Sequence, residues 1–211
     1  MALARNLAFA LSMLIPGTSW AQPASPANFS IDPLRSRIEI RVFKGGLFAG
    51  LGHDHTVMAK HFSGSVRLDP ESMRESSVKL NIDAGSLTVT DPDVSEKERS
   101  EIQATMTGSK VLNIQDFPAI TFESIRVSGA AAASGESVVQ LTGRLNLHGI
   151  GKEITFPVRL HAEHNSLQTT GTVSLTQTDF GITPVKAAGG TVRVKDQVTI
   201  DFDLSAVRVA P

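Results

Sequence analysis

The 211-residue chain has no cysteine and no tyrosine, and its single tryptophan is Trp20. Without cysteine no disulfide can form, so an exported fold must rely on its core. Without Trp or Tyr beyond residue 20, the usual platforms for stacking nucleic-acid bases are missing. An excess of basic charge is missing too: Lys and Arg number 20 against 21 Asp and Glu. That balance argues against a nucleic-acid partner, which needs a basic patch, and against charge-driven adhesion to an anionic membrane. No Gly-x-Ser-x-Gly elbow occurs, so an α/β hydrolase has no support. The glycines Gly45, Gly46, Gly50 and Gly52 lack a following Gly-Lys-Ser/Thr and do not make a phosphate loop.

Long apolar runs are also absent. The stretch from Leu7 to Ile15 is the main one, and it is too short for a bilayer core of about 30 Å. Arg5 precedes it, Pro16 and Gly17 break it, and Ser19-Trp20-Ala21 puts small residues where a signal peptidase cuts. Residues 1–21 therefore read as a secretory signal peptide, cleaved near Ala21, with a periplasmic destination and no stable membrane anchor. Residues 22–28 (QPASPAN) read as a flexible leader, and residues 29–211 as one domain. About 190 residues remain after cleavage, ample for a sizeable core.

What the chain does have is alternation. Ile154, Phe156, Val158 and Leu160 share one phase, and Thr155, Arg159 and His161 share the other. Val198, Ile200, Phe202 and Leu204 repeat the pattern, as do Val139, Leu141, Leu145 and Leu147. A period of two is the strand period, so each segment has an apolar and a polar face. Strands are predicted over 37–43, 62–68, 77–83, 86–90, 119–127, 138–147, 153–161, 166–176 and 197–209. One segment breaks the rhythm. Asp91-Pro92 or the pair Ser95 and Glu98 can cap a helix, Ile102 and Met106 share a face, and Gly108 is a stop. One amphipathic helix is predicted from near Asp93 to near Thr107. The fold class is all-β, a sheet closing around an apolar interior. Periodicity leaves open whether that interior is a packed core or a pocket.

Several motifs occur in order along residues 29–150. They are Phe29-Ser30-Ile31-Asp32, then Phe62-Ser63-Gly64-Ser65-Val66-Arg67-Leu68-Asp69, then Phe117-Pro118-Ala119-Ile120-Thr121-Phe122-Glu123-Ser124. Leu141-Thr142-Gly143 and Leu145-Asn146-Leu147-His148-Gly149-Ile150 follow. Together they resemble the YceI-like family of polyisoprenoid-binding, lipocalin-like proteins. The resemblance implies an extended eight-stranded antiparallel barrel with one short helix inserted. It implies a cavity for an amphiphilic isoprenoid or other long-chain lipid: a quinone, a polyprenyl phosphate or a fatty amide. It implies no enzymatic reaction and no cofactor beyond such a bound lipid, and it adds a homodimer as an expectation. Thr105 to Val111 depart from the family, where many members carry a His.

The candidate lining residues are Phe43, Leu47, Phe48, Phe62, Leu80, Ile82, Ile102, Met106, Phe117, Ile120 and Phe122. His53-Asp54-His55 is the sharpest polar signal. Three readings stand for it: a polar turn, contact with a ligand headgroup, or two ligands of a metal site completed by His61, Asp54 or another group. The metal reading, as a binding or enzymatic protein centred on His53 and His55, is the alternative to lipid binding.

Overall fold

A computed structural model describes residues 25–45, 54–130, 136–163, 165–187 and 192–209. Within them the elements run β1 (Ala27–Ile31), β2 (Arg37–Gly45), β3 (His55–Ala59), β4 (Phe62–Leu68), β5 (Ser77–Asp83) and β6 (Leu87–Val89). Then come α1 (Glu96–Thr107), β7 (Ala119–Ser128), β8 (Glu136–Leu147), β9 (Ile150–Ala162), β10 (Ser166–Thr176), β11 (Lys186–Ala187) and β12 (Val192–Arg208).

Every pairing is antiparallel. The order β1-β4-β5-β7-β8-β9-β10-β12 returns to β1, which closes a barrel of eight strands as the sequence predicted. β2, β3 and β6 continue β1, β4 and β5 upward, so three of the eight staves are broken midway. Each break has a local cause. Pro33 starts a 3-10 turn after β1, and the Asp32 carboxylate accepts the Leu34 N–H. The buried Ser86 hydroxyl accepts the His61 N–H and donates to the Asp83 carbonyl, tying the β3–β4 and β5–β6 breaks together. β12 is long enough to pair β2 along its first part and β1 at its end.

Three elements differ from the sequence reading. Ala27 and Asn28, expected in the leader, pair with Leu68 and Arg67. No strand is predicted between 43 and 62, yet β3 lies there, and its Val57 and Ala59 alternate inward like their neighbours and are buried. The helix starts at Glu96 rather than near Asp93. Ser95 and Glu98 form the capping box, because the Asp91 carboxylate is spent on Thr56 and His55.

β6 ends the strand order, so among the described residues one edge of it lacks a strand partner. α1 supplies a substitute. The Gln103 side-chain carbonyl accepts the Val89 N–H at 2.9 Å, and its amide donates to the Leu87 carbonyl at 2.7 Å. A carboxamide presents the same donor and acceptor as a peptide group, so Gln103 acts as one residue of a missing strand. This fixes α1 across the upper end of the barrel.

Candidate functional site

The alternation puts the apolar phase of every long strand inside. Ile154, Phe156, Val158 and Leu160 all face the lumen, and so do Val198, Ile200, Phe202 and Leu204, and Val139, Leu141, Leu145 and Leu147. The lumen is not filled. A cavity of about 270 Å³ lies within it, just below the ~300–1,000 Å³ typical of small-molecule pockets. The inward side chains Ile40, Leu80, Ile82, Ile154, Val198, Ile200 and Phe202 keep part of their surface exposed although they point into the barrel. That surface faces the void. Among the described residues only Ser76, Thr169 and Gln177 bring polar side chains to the wall, and no charged one reaches it.

Three phenylalanines cross the middle of the lumen. The Phe122 and Phe156 rings lie 5.7 Å apart, and Phe156 and Phe202 lie 6.0 Å apart. They leave space because two inward positions on the neighbouring strands are glycine. A Cβ on Gly143 would sit 2.3 Å from Phe122 Cζ, and one on Gly171 would sit 2.5 Å from Phe202 Cζ. Each ring therefore lies against bare backbone of the next strand rather than across the axis.

The two ends differ. Ile31, Leu68, Met73, Val127, Leu160 and Leu167 form a closed floor, and each is buried. At the other end Val42, Met106, Val111, Leu112, Leu147 and Val198 keep some exposure, and this is the mouth. Beside it Gln177 starts a 3-10 turn, and its side-chain amide donates to the Lys195 carbonyl at 2.8 Å. The next residue, Thr178, donates its hydroxyl and its N–H to Asp196 at 2.6 and 2.9 Å. These bonds, the hydroxyl's first, hold the Asp196 carboxyl below the usual carboxylate range.

The expected lining residues divide. Leu80, Ile82, Met106, Ile120 and Phe122 border the cavity. Phe62 lies on the inner phase of β4 but is buried in the core at the β3–β4 break, away from the cavity wall. Ile102 packs its half-buried side chain against the core from α1 and also stays off the wall. Phe43 and Phe117 are corrections. Phe43 shares the outward phase of Glu39 and Arg41, with Lys195 Nζ 5.9 Å from its ring centroid. Phe117 precedes β7 and packs edge-on against the His148 ring in the β8–β9 turn, centroids 4.8 Å apart. Being aromatic near a strand end did not decide which face either residue took. Leu47, Phe48 and His53 lie outside the described residues.

His55 falls on the inward phase of β3, opposite Val42, but is not among the side chains that border the cavity. Its Nδ1 donates to Asp91 Oδ2 at 2.6 Å, and Asp91 Oδ1 accepts the Thr56 N–H at 2.6 Å. Asp91 was read only as a helix cap. No local signal marks this contact, which joins residues 36 positions apart across a strand, β3, that the alternation did not reveal. Among the described residues no group of three His, Cys, Asp or Glu side chains could hold a metal ion.

A YceI-like domain matches residues 29–206. The chain belongs to the YceI-like family. The motifs between Phe29 and Ile150 had pointed there, and the match covers the whole barrel. A UPF0312 protein of Pseudomonas putida strain W619 is 26% identical over 152 residues, 69% of each chain. The barrel superposes on BcnA of Burkholderia cenocepacia with a TM-score of 0.64 at 20% identity, covering 83% of this chain and 98% of that one. A polyisoprenoid binding domain of Saccharophagus degradans gives 0.63 at 14% identity, covering 86% and 98%. The YceI protein of Campylobacter jejuni gives 0.56 at 13% identity, covering 73% and 85%. At these identities the likeness is one of fold.

Proposed function

We propose that this YceI-like protein sequesters one amphiphilic, chain-like lipid in its lumen, tail inward and polar end at the mouth. The observation that carries the reading is the unfilled apolar cavity of about 270 Å³, closed at the floor and open beside α1. Each methylene moved from water into such a space contributes about 0.8 kcal/mol before ordering costs. A tail of several carbons therefore binds without any charged contact, which fits a wall lacking charge. The fold it shares with a polyisoprenoid binding domain supports an isoprenoid as the chain. The N-terminal residues support export, so the site of action is the periplasm and the role is binding or carriage rather than catalysis.

The test is native mass spectrometry, with lipid extraction, of freshly purified protein exported to the periplasm. The expected result is one bound apolar molecule per chain, recovered in the organic phase. A chain that carries nothing and takes up no isoprenoid on incubation would end this reading.

A further inference from the structure

The apolar lining is interrupted well inside the barrel. The inward positions of β10 read Leu167, Thr169, Gly171, Val173 and Leu175 from the floor upward. Thr169 stands between Leu160 on β9 and Leu204 on β12. It lies one inward step above Leu167 in the floor and one below Gly171, against which the Phe202 ring rests. It is therefore on the closed side of that ring. Ser76, just before β5, reaches the wall at the same end, next to Leu68. β5 and β10 are four staves apart in the ring of eight, so the two side chains enter the deep end from opposite sides.

Neither hydroxyl has its bonding filled. Among the described residues no donor or acceptor meets the Thr169 hydroxyl, yet it is not enclosed as Arg99 Nε on α1 is. The surface it keeps opens onto the void. The Ser76 oxygen accepts the Asp69 N–H at 2.9 Å, but its hydrogen has the Met73 sulfur at 4.0 Å, a weak acceptor. Gln177, the other polar side chain of the wall, stands at the mouth and is spent on the Lys195 carbonyl. Valine has nearly the shape of threonine and the same preference for strands, and it would leave the wall at 169 wholly apolar. A hydroxyl facing an apolar space without a partner is a cost to the empty protein.

We propose that Thr169, with Ser76 opposite, makes the deep end of the lumen a hydrogen-bonding subsite for a neutral oxygen function on the inner end of the chain, a hydroxyl, carbonyl or ether. The inference rests on the lumen being the site of the chain, and it makes the preferred ligand a chain oxygenated at its buried end as well. Both hydroxyls have a hydrogen to donate, so the group they meet must accept. It must also be neutral, because no charged side chain of the described residues borders the cavity to balance an ion there. A plain hydrocarbon end fills the same space but leaves Thr169 unsatisfied.

The experiment is displacement of Nile red from the chain without residues 1–21 by dodecanol and by dodecanediol, which carries a second hydroxyl at its far end. Both are expected to displace the dye from the parent. Thr169→Val should weaken dodecanediol relative to dodecanol by about tenfold, the size of effect an unmet buried hydroxyl produces. Dodecanol itself should bind that variant at least as well as the parent, which also shows that the lumen is intact. Thr169→Ser keeps the hydroxyl and should keep the parent ratio. Dodecanol displacing the dye from the parent while dodecanediol does not overturns the proposal without any variant. A ratio that Thr169→Val leaves unchanged overturns it as well, and is what a hydroxyl that holds no more than water would give. Displacement by neither compound overturns the lumen reading and this subsite with it.

Discussion

Gly143 and Gly171 set the width of the lumen. Each faces inward beside a phenylalanine ring that takes the space a side chain would use. Gly143→Ala is expected to push Phe122 toward the axis, destabilise the fold by about 1–3 kcal/mol as overpacking does, and reduce ligand uptake. Thermal denaturation and a displacement assay check the two effects. Outside the lumen, Thr178 holds the Asp196 carboxyl low. A depressed carboxyl favours the folded state above its unfolded pKa, and the contribution is lost as pH falls through the folded value. Asp196 is solvent-exposed, so the visible effect is on titration: Thr178→Val should raise the Asp196 pKa toward the ordinary value, followed by NMR. At this scale the sequence was legible through phase. Leu80, Ile82, Ile120 and Phe122 could be placed because they fall on strands with clear alternation. Phe43 and Phe117 stand where a strand meets a turn, and hydrophobicity alone could not say that one packs beneath Lys195 and the other on His148.

α1 is held more by hydrogen bonds than by burial. All its residues keep some exposure, and Ile102 and Met106 supply its apolar contact. Gln103 carries the edge of β6, so Gln103→Ala would leave the Val89 N–H and the Leu87 carbonyl without their partner. The expected cost is about 1–3 kcal/mol, with the Val89 amide losing protection in hydrogen exchange. Gln103→Glu, which keeps the acceptor but not the donor, should protect Val89 better than Ala does. Ser95→Ala removes the capping box at about 0.5–2 kcal/mol. The helix was visible as a break in the strand period, and its cap pair was among the candidates. Its first turn was misplaced because the Asp91 carboxylate is engaged by His55 and Thr56 of β3, a long-range demand that local capping rules do not contain. β3 escaped notice for a related reason. His55 and the glycines before it read as a turn, although Val57 and Ala59 keep the inward phase.

The barrel as a whole follows from eight apolar faces that must be buried together, and closure of the eight-strand ring removes its free edges, leaving that of β6 to Gln103. That much was written in the period of two. The emptiness of the lumen was not. Periodicity reports which side chains point inward, whereas the void depends on how Phe122, Phe156 and Phe202 settle against glycines on other strands. The family resemblance pointed to a cavity, and the packing around Gly143 and Gly171 explains how one fits inside eight strands. The central claim is that this void is the binding site. It is tested most directly by calorimetric titration of farnesol into the parent chain and into an Ile40→Phe, Ile200→Phe double variant, in which added carbon fills lumen that both side chains now border. The parent is expected to bind one molecule with a negative heat-capacity change, and the filled variant to stay folded and bind none. Equal binding by both proteins would contradict the account.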